Sequence, residues 1–223
     1  MRPARYVGDA SYRHRTKGHP RPLDQVKVAV RQLDFSLRFL TEFAREPLRV
    51  GALLPSSQAL ARVMVGSCEI DSGSLVVELG PGTGSFTGPL LERVRRHRAR
   101  LLAVEINPTH VNILRERYPR CEVVEDSAEN LPRCLGGRQA GCVVSGLPWG
   151  AMLAPLQDRI MRAVLDSLRP EGQFVAFAYA HARWFPTARR FHARLQEAFK
   201  RVETTPVVWW NLPPAYLYRC WRA

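Results

Sequence analysis

Three carboxylates close three successive apolar runs: Glu78 follows Val76-Val77, Glu105 follows Leu101-Leu102-Ala103-Val104, and Asp126 follows Val123-Val124-Glu125. Acids at the carboxyl ends of strands are placed to hold the amines and hydroxyls of a bound molecule, because open α/β sheets gather their ligands along that edge. Two residues after the first acid begins Gly80-Pro81-Gly82-Thr83-Gly84. Its three glycines carry no Cβ, so the backbone can take positive φ and come close to a ligand. A helical pattern follows from Phe86, and its N-terminus offers free N–H groups to the same place. Glu105 lies about twenty residues beyond the glycines, the distance at which a carboxylate can accept both hydroxyls of a ribose.

The glycine spacing narrows the ligand. A dinucleotide fingerprint, G-x-G-x-x-G, needs its third glycine at position 85, where Ser85 stands. The form present, E-x-G-x-G-x-G, resembles motif I of the class I S-adenosylmethionine-dependent methyltransferases. That resemblance implies S-adenosylmethionine as cofactor, cradled by Gly80, Gly82 and Gly84, with Glu78 near its ammonium group. Asp126-Ser127-Ala128 resembles the motif of the same class in which an acid meets the adenine amino group, which implies cofactor contacts for these three residues. As a plain local reading, Asp126 caps a helix beginning at Ala128.

The fourth apolar run, Cys142-Val143-Val144, enters Ser145-Gly146-Leu147-Pro148-Trp149-Gly150, which resembles motif IV. Enzymes that methylate exocyclic amines of bases carry Asn or Asp there, then a variable residue, Pro and an aromatic. Gly146 occupies the amide position, so the group that would hold an adenine amine is missing. The resemblance implies Trp149 as an aromatic wall for the acceptor, with Ser145 beside the cofactor in partial place of the amide. Otherwise Trp149 covers the sheet edge. Tyr179 and His181, just after the apolar run 173–177, reach the same edge as candidates for substrate contact or proton acceptance, or else as packing Tyr and surface His. Aromatic faces stabilise a quaternary ammonium, and Trp184, Trp209 and Trp210 join Trp149 and Tyr179 as candidates for that work.

These residues need a scaffold, and the periodicities supply one. Apolar runs near 74–79, 101–105, 121–125, 142–146 and 172–178 alternate with helical patterns near 86–97, 108–118, 127–134, 153–168 and 186–199. That alternation predicts an α/β fold with a doubly wound, Rossmann-like sheet. Runs at 201–210 and 215–221 add an antiparallel pair, giving the seven strands that a class I methyltransferase carries. Ser56 and Ser57 are placed to cap a helix beginning at Gln58, or to line the cofactor pocket.

Composition bounds the setting. The chain has 223 residues, 46% of them apolar, enough for one domain with a sizeable core and an appendage. Its five cysteines are widely spaced with no C-x-x-C pair, which reads as reduced thiols without a disulfide framework or a metal site. The N-terminus lacks the apolar stretch of a secretory signal, and no run approaches the roughly 20 apolar residues of a spanning helix. These features predict a cytoplasmic protein, peripheral on the inner face of the membrane if it meets one.

The net charge of +13 implies attraction to polyanions, either nucleic acid or an anionic lipid surface. Residues 1–22 hold six Lys or Arg against Asp9 alone, with five helix-breaking Gly and Pro, and read as a flexible basic arm. Residues 23–70 form an N-terminal amphipathic and helical region. Within it, 23–45 places Leu23, Val26, Val30, Leu33, Leu37 and Leu40 on one helical face, with Lys27, Arg31, Arg38 and Arg45 on the other. Such a helix lies in a membrane interface or packs on its own domain. The motif I and motif IV resemblances imply a methyltransferase domain over residues 71–223.

From about Phe35 to Arg222 the chain resembles the bacterial phospholipid N-methyltransferases, related at fold level to the rRNA adenine dimethylases. The likeness is carried by Phe39-Leu40-Thr41-Glu42-Phe43 leading into Pro47-Leu48-Arg49-Val50-Gly51-Ala52-Leu53-Leu54-Pro55-Ser56-Ser57, by the glycine turn, by Ser145-Gly146-Leu147-Pro148, and by Asn211-Leu212-Pro213-Pro214-Ala215. It implies methylation of phosphatidylethanolamine toward phosphatidylcholine, with the N-terminal amphipathic helix as the membrane-binding element; the basic arm lies outside the likeness, and its charge alone adds it to the helix as a contact for an anionic membrane surface. Two other readings stand beside it. One is an RNA adenine N6-methyltransferase of the rRNA dimethylase type, and the other is a non-catalytic lipid- or RNA-binding protein that retains the fold.

Overall fold

The computed structural model describes residues 57–223. The basic arm 1–22, the amphipathic helix 23–45 and Ser56 lie outside the described residues.

The strands follow the apolar runs. They are β1 (Leu75–Leu79), β2 (Arg100–Glu105), β3 (Glu122–Glu125), β4 (Ala140–Ser145), β5 (Leu168–Tyr179), β6 (Arg201–Thr204) and β7 (Ala215–Trp221). They form one sheet in the order β3-β2-β1-β4-β5-β7-β6. The first five are parallel, and β7 runs antiparallel to both β5 and β6. The order reverses between β1 and β4, so the chain crosses from one half of the sheet to the other beside the glycine turn. Such a switch point opens a crevice at the carboxyl ends of the strands.

Helices α1 (Gln58–Ser67), α2 (Thr87–Arg96), α3 (Pro108–Arg117), α4 (Leu131–Leu135), α5 (Ala154–Ser167) and α6 (Pro186–Ala198) pack around the sheet. All five residues of β1 are buried, as a strand covered on both faces requires. Leu75, Val77 and Leu79 pack with Leu156 and Ile160 of α5 and Phe191 and Leu195 of α6. Val76, on the opposite face, packs with Leu60 and Met64 of α1 and Leu90 and Val94 of α2. Helix starts follow local chemistry: the Ser57 hydroxyl accepts from the Leu60 N–H at 3.1 Å, and Asn107 Oδ1 accepts from the Thr109 N–H at 2.9 Å just ahead of Pro108.

Two expected elements are shorter than the periodicity implies. The antiparallel run expected over 201–210 ends at Thr204; beyond it the Thr205 N–H still donates to the Leu217 carbonyl at 3.0 Å and Val208 bridges to Ala215. Pro206, which has no N–H to give to a ladder, interrupts the strand. The helix expected over 127–134 divides into a 3-10 turn (Ala128–Asn130) and α4, which stops at Gly136 with φ 57°.

Candidate cofactor and acceptor site

The turn after β1 is held from both sides. The Gly80 N–H donates to the Val104 carbonyl at 3.0 Å, and the Gly84 N–H donates to the Pro81 carbonyl at 3.0 Å. Gly80, Gly82 and Gly84 all have positive φ, at 65°, 57° and 94°. Any larger residue would be strained in that conformation. Gly84 also needs room, because a Cβ there would come 2.6 Å from the Tyr118 ring. The Tyr118 hydroxyl donates to the Gly84 carbonyl at 3.2 Å and fixes the end of the turn. At Gly82 a Cβ would meet nothing within 4 Å, so that side of the turn is open to a ligand.

Glu78 is fully buried at the end of β1. One carboxyl oxygen, Oε2, accepts from the Thr87 hydroxyl at 2.7 Å, while Oε1 has no partner. Burial pushes its carboxyl up to about 8, and the neighbouring Glu105 adds to the rise while the Thr87 hydrogen bond opposes it. A buried carboxylate with one unused oxygen is the group that a cationic amine can satisfy. Glu105 sits at the end of β2, where Oε2 accepts from the Gly82 N–H at 3.0 Å and Oε1 from the Asn107 N–H at 2.9 Å. Its carboxylate is therefore tied to the turn itself, and the two acids and three glycines meet at one spot.

Asp126 follows β3 at the same edge. Its Oδ1 accepts from the Ser127 N–H at 2.7 Å and from Asn130 Nδ2 at 2.8 Å, and its Oδ2 from Arg133 at 2.6 Å. Desolvation pushes its carboxyl up, but these bonds together outweigh it and hold the group down to about 2. Ser127 is the cap of the 3-10 turn, accepting from the Glu129 N–H, and Ala128 begins that turn. Asp126 is thus a charged anchor for the loop after β3, and Arg133, from α4, is a partner that spacing alone did not indicate.

Motif IV folds inward. Ser145 is buried, and its hydroxyl accepts from Trp149 Nε1 at 2.9 Å and from the Leu147 N–H at 3.3 Å. Trp149 is only 1% exposed, stacked on Phe191 at 4.6 Å and edge-on to Phe174 at 5.8 Å. This corrects its expected place as an acceptor wall: the indole belongs to the core, because the bend at Pro148 turns it beneath the sheet end onto α6. Gly146 has a strict steric reason. A Cβ there would stand 2.6 Å from the Gly80 carbonyl oxygen, and the Gly146 N–H donates to the Leu79 carbonyl at 2.8 Å. The ends of β1 and β4 approach so closely that no amide side chain fits.

Tyr179 and His181 do come to the carboxyl edge, where their rings stack at 5.8 Å. Burial raises the Tyr179 phenol far above neutral pH, so it offers a hydrogen bond rather than a base. His181 is exposed. Behind them Tyr179 meets Phe177 at 5.2 Å and Phe177 meets Phe86 at 6.3 Å. An aromatic row therefore leads from the glycine turn outward along β5. Sequence reasoning missed Phe86 and Thr87, although two side chains opening the helix after a glycine turn were the available signal. Trp184 ends an exposed 3-10 turn (Ala180–Trp184) and Trp209 and Trp210 stand in an exposed turn, an arrangement unlike an enclosing cage. All five cysteines are free. Among the described residues, no group of three or more His, Cys, Asp or Glu side chains stands where it could hold a metal ion, and no helix is long and apolar enough to cross a membrane.

The sheet order, the glycine turn and the strand-end acids define an S-adenosylmethionine-dependent methyltransferase of class I, and comparison with known proteins agrees. Residues 76–172 match the family described as "Methyltransferase domain". Among solved structures, precorrin-6y C5,15-methyltransferase from Geobacter metallireducens superposes with a TM-score of 0.59 at 18% identity, covering 75% of this chain and 89% of that one. The N-methyltransferase NodS from Bradyrhizobium japonicum does so with a TM-score of 0.57 at 17% identity, covering 74% and 92%. Ribosomal RNA small subunit methyltransferase A from Thermotoga maritima is 28% identical over 112 residues, 50% of this chain and 38% of its own. The ornithine lipid N-methyltransferase of Singulisphaera acidiphila is 33% identical over 196 residues, 84% of this chain and 95% of its own. The chain belongs to the bacterial lipid N-methyltransferase family of that class.

Glu78, the glycine turn, Glu105 and the loop anchored by Asp126 are the residues that would hold S-adenosylmethionine. When bound, the cofactor supplies a methyl group on a sulfonium, open to in-line attack by an amine. The protein's share is to hold the two partners in line and keep water out.

Proposed function

We propose that the protein transfers methyl groups to the primary amine of a membrane lipid head group, with phosphatidylethanolamine methylated toward phosphatidylcholine. The observation that carries a lipid acceptor over RNA is the extent of similarity to a lipid N-methyltransferase: 84% of the chain, against 50% for the ribosomal RNA enzyme. Gly146 supports it. An enzyme that orients an adenine amine needs an amide at that place, and the Gly80 carbonyl leaves no room for one. Tyr179, half-buried at the end of β5, offers an increasingly methylated ammonium a polarisable face, with Phe177 and Phe86 packed behind it in the core. A second acceptor, the amine of an ornithine lipid, is favoured by the name of the relative that matches most of the chain. The protein works in this reading as a cytoplasmic enzyme, peripheral on the inner face of the membrane, with residues 23–45 and the basic arm on anionic lipid.

A labelled-methyl assay on the full chain decides the acceptor. Total lipid extract, purified phosphatidylethanolamine, ornithine lipid and ribosomal RNA are offered side by side. Label is expected in the lipid fraction, and label confined to RNA would overturn the proposal.

A further inference from the structure

Two loops leave the sheet at one place. Tyr179 at the end of β5 pairs with Ala215 at the start of β7, and Val208 bridges to Ala215 from the other side. The Ala180 N–H donates to the Pro214 carbonyl at 2.8 Å, which joins the segment after β5 to the segment before β7. From these loops project Trp184 (74% exposed), Phe185 (53%), Trp209 (74%), Trp210 (88%) and Leu212 (69%). Among the described residues the other exposed large apolar side chain is Ile113, at 37%. Large apolar side chains gathered at one edge mark a surface that meets something, since scattered single residues are the norm elsewhere.

The charge on these loops identifies what they meet. Residues 179–190 and 205–215 contain no Asp or Glu; Arg183 lies between β5 and α6 and Arg189 in the first turn of α6, while Arg190 is paired with Asp158 of α5 at 2.9 Å. The Arg183 guanidinium lies 5.1 Å from the Trp184 ring centroid. Tryptophans with arginines beside them, at the tips of loops, suit the boundary between acyl chains and anionic head groups. The edge is also the functional one, because β5 runs parallel to β4 and β1 and ends at the same side as the glycine turn. Ser57, where the described residues begin, is fixed there too, its N–H donating to Asn211 Oδ1 at 2.9 Å.

We infer that the β5–α6 and β6–β7 loops form a membrane-docking rim, with Trp184, Phe185, Trp209, Trp210 and Leu212 entering the interface of an anionic bilayer. This contact is separate from any made by residues 23–45, and it rests on the lipid reading of the acceptor only for its purpose. The rim holds the mouth of the crevice against the bilayer, so that a head-group amine reaches the site without its acyl chains leaving the membrane.

Tryptophan fluorescence of the full chain tests it, because Trp149 and Trp221 are buried and the three rim tryptophans are exposed. Phosphatidylglycerol-containing vesicles should shift the emission to shorter wavelength, and brominated lipid should quench it. The Trp184→Ser/Trp209→Ser/Trp210→Ser variant should lose vesicle affinity by about tenfold or more while keeping its S-adenosylmethionine affinity, which checks that it is folded. Vesicle binding without shift or quenching overturns the inference, since another part of the chain then does the docking. So does shielding of these tryptophans from acrylamide in the free protein, which assigns the rim to the chain's own residues 1–56. Displacement from vesicles by ribosomal RNA overturns it in favour of nucleic acid. Methyl transfer to lipid dispersed in detergent micelles, measured alongside, needs no docking and reports on the proposed acceptor alone.

Discussion

The Thr87 hydroxyl donates to Glu78 at 2.7 Å, and this bond leaves the second Glu78 oxygen buried and unpaired at the foot of the glycine turn. The first residue of α2 thereby aims the acid one residue before the end of β1. With burial raising its carboxyl to about 8, Glu78 is mostly protonated at neutral pH in the cofactor-free enzyme.

Binding of a cationic amine requires Glu78 to ionise, so S-adenosylmethionine should expel close to one proton between pH 6 and 7. Its affinity should rise by about tenfold per pH unit in that range. Calorimetry in buffers of different ionisation enthalpy measures the proton count directly. Glu78→Gln should abolish the linkage and weaken binding; proton-neutral binding by the wild type at pH 6 would contradict the role given to Glu78.

The same group sets a pH slope on stability. Its folded value, about 8, lies above the ordinary 4.5, so between those limits the folded state holds the proton that the unfolded state has lost. Stability therefore falls as pH rises through this window. Glu78→Gln should remove that slope and stabilise the cofactor-free protein by about 3 kcal/mol at pH 7, with little gain at pH 5. Thermal unfolding of both proteins across pH 5 to 8 is the check, and parallel curves would count against it.

Gly146 should tolerate no side chain. Gly146→Ala must move the Gly80 carbonyl, which its Cβ would approach to 2.6 Å. The expected cost is about 2 kcal/mol of stability, together with a loss of S-adenosylmethionine affinity as the turn shifts. Gly146→Asn should show the same losses and gain no transfer to adenine. Unfolding midpoints and a labelled-methyl assay on RNA read both outcomes.

Asn211 links the start of α1 to the loop before β7. It accepts from the Ser57 N–H at 2.9 Å and donates to the Pro213 carbonyl at 2.7 Å. Asn211→Ala leaves both backbone groups without their partner and should cost about 1–3 kcal/mol. Hydrogen exchange should accelerate in the first turn of α1 and around 205–214, while cofactor affinity holds. Asn211→Asp, which keeps the acceptor, should restore protection at Ser57 but not the bond to Pro213.

Much of the architecture was legible in local pattern. The runs at 74–79 and 101–105, with an acid in the last or next-to-last place, became β1 and β2 with the acids at the expected edge, because a strand buried on both faces leaves an almost unbroken apolar signature. Pro206 and Pro132 altered β6 and α4 by their backbone chemistry, which periodicity does not weigh. Trp149 was misplaced because an aromatic after a Pro turn looks alike whether it faces ligand or core. Its direction depends on Phe174 and Phe191, which lie far along the chain.

By itself the sequence determined the fold and the cofactor, since both are written in short segments: apolar runs of strand length, three glycines in five residues, an acid at each of three strand ends. The tertiary structure decided what those residues do to one another. Glu78 is raised by burial and by Glu105, Asp126 is held ionised by Arg133, and Gly146 is closed off by the Gly80 carbonyl. Each depends on the distance between groups that different strands and helices deliver, and such distances exist only once the sheet has closed and water has left the site.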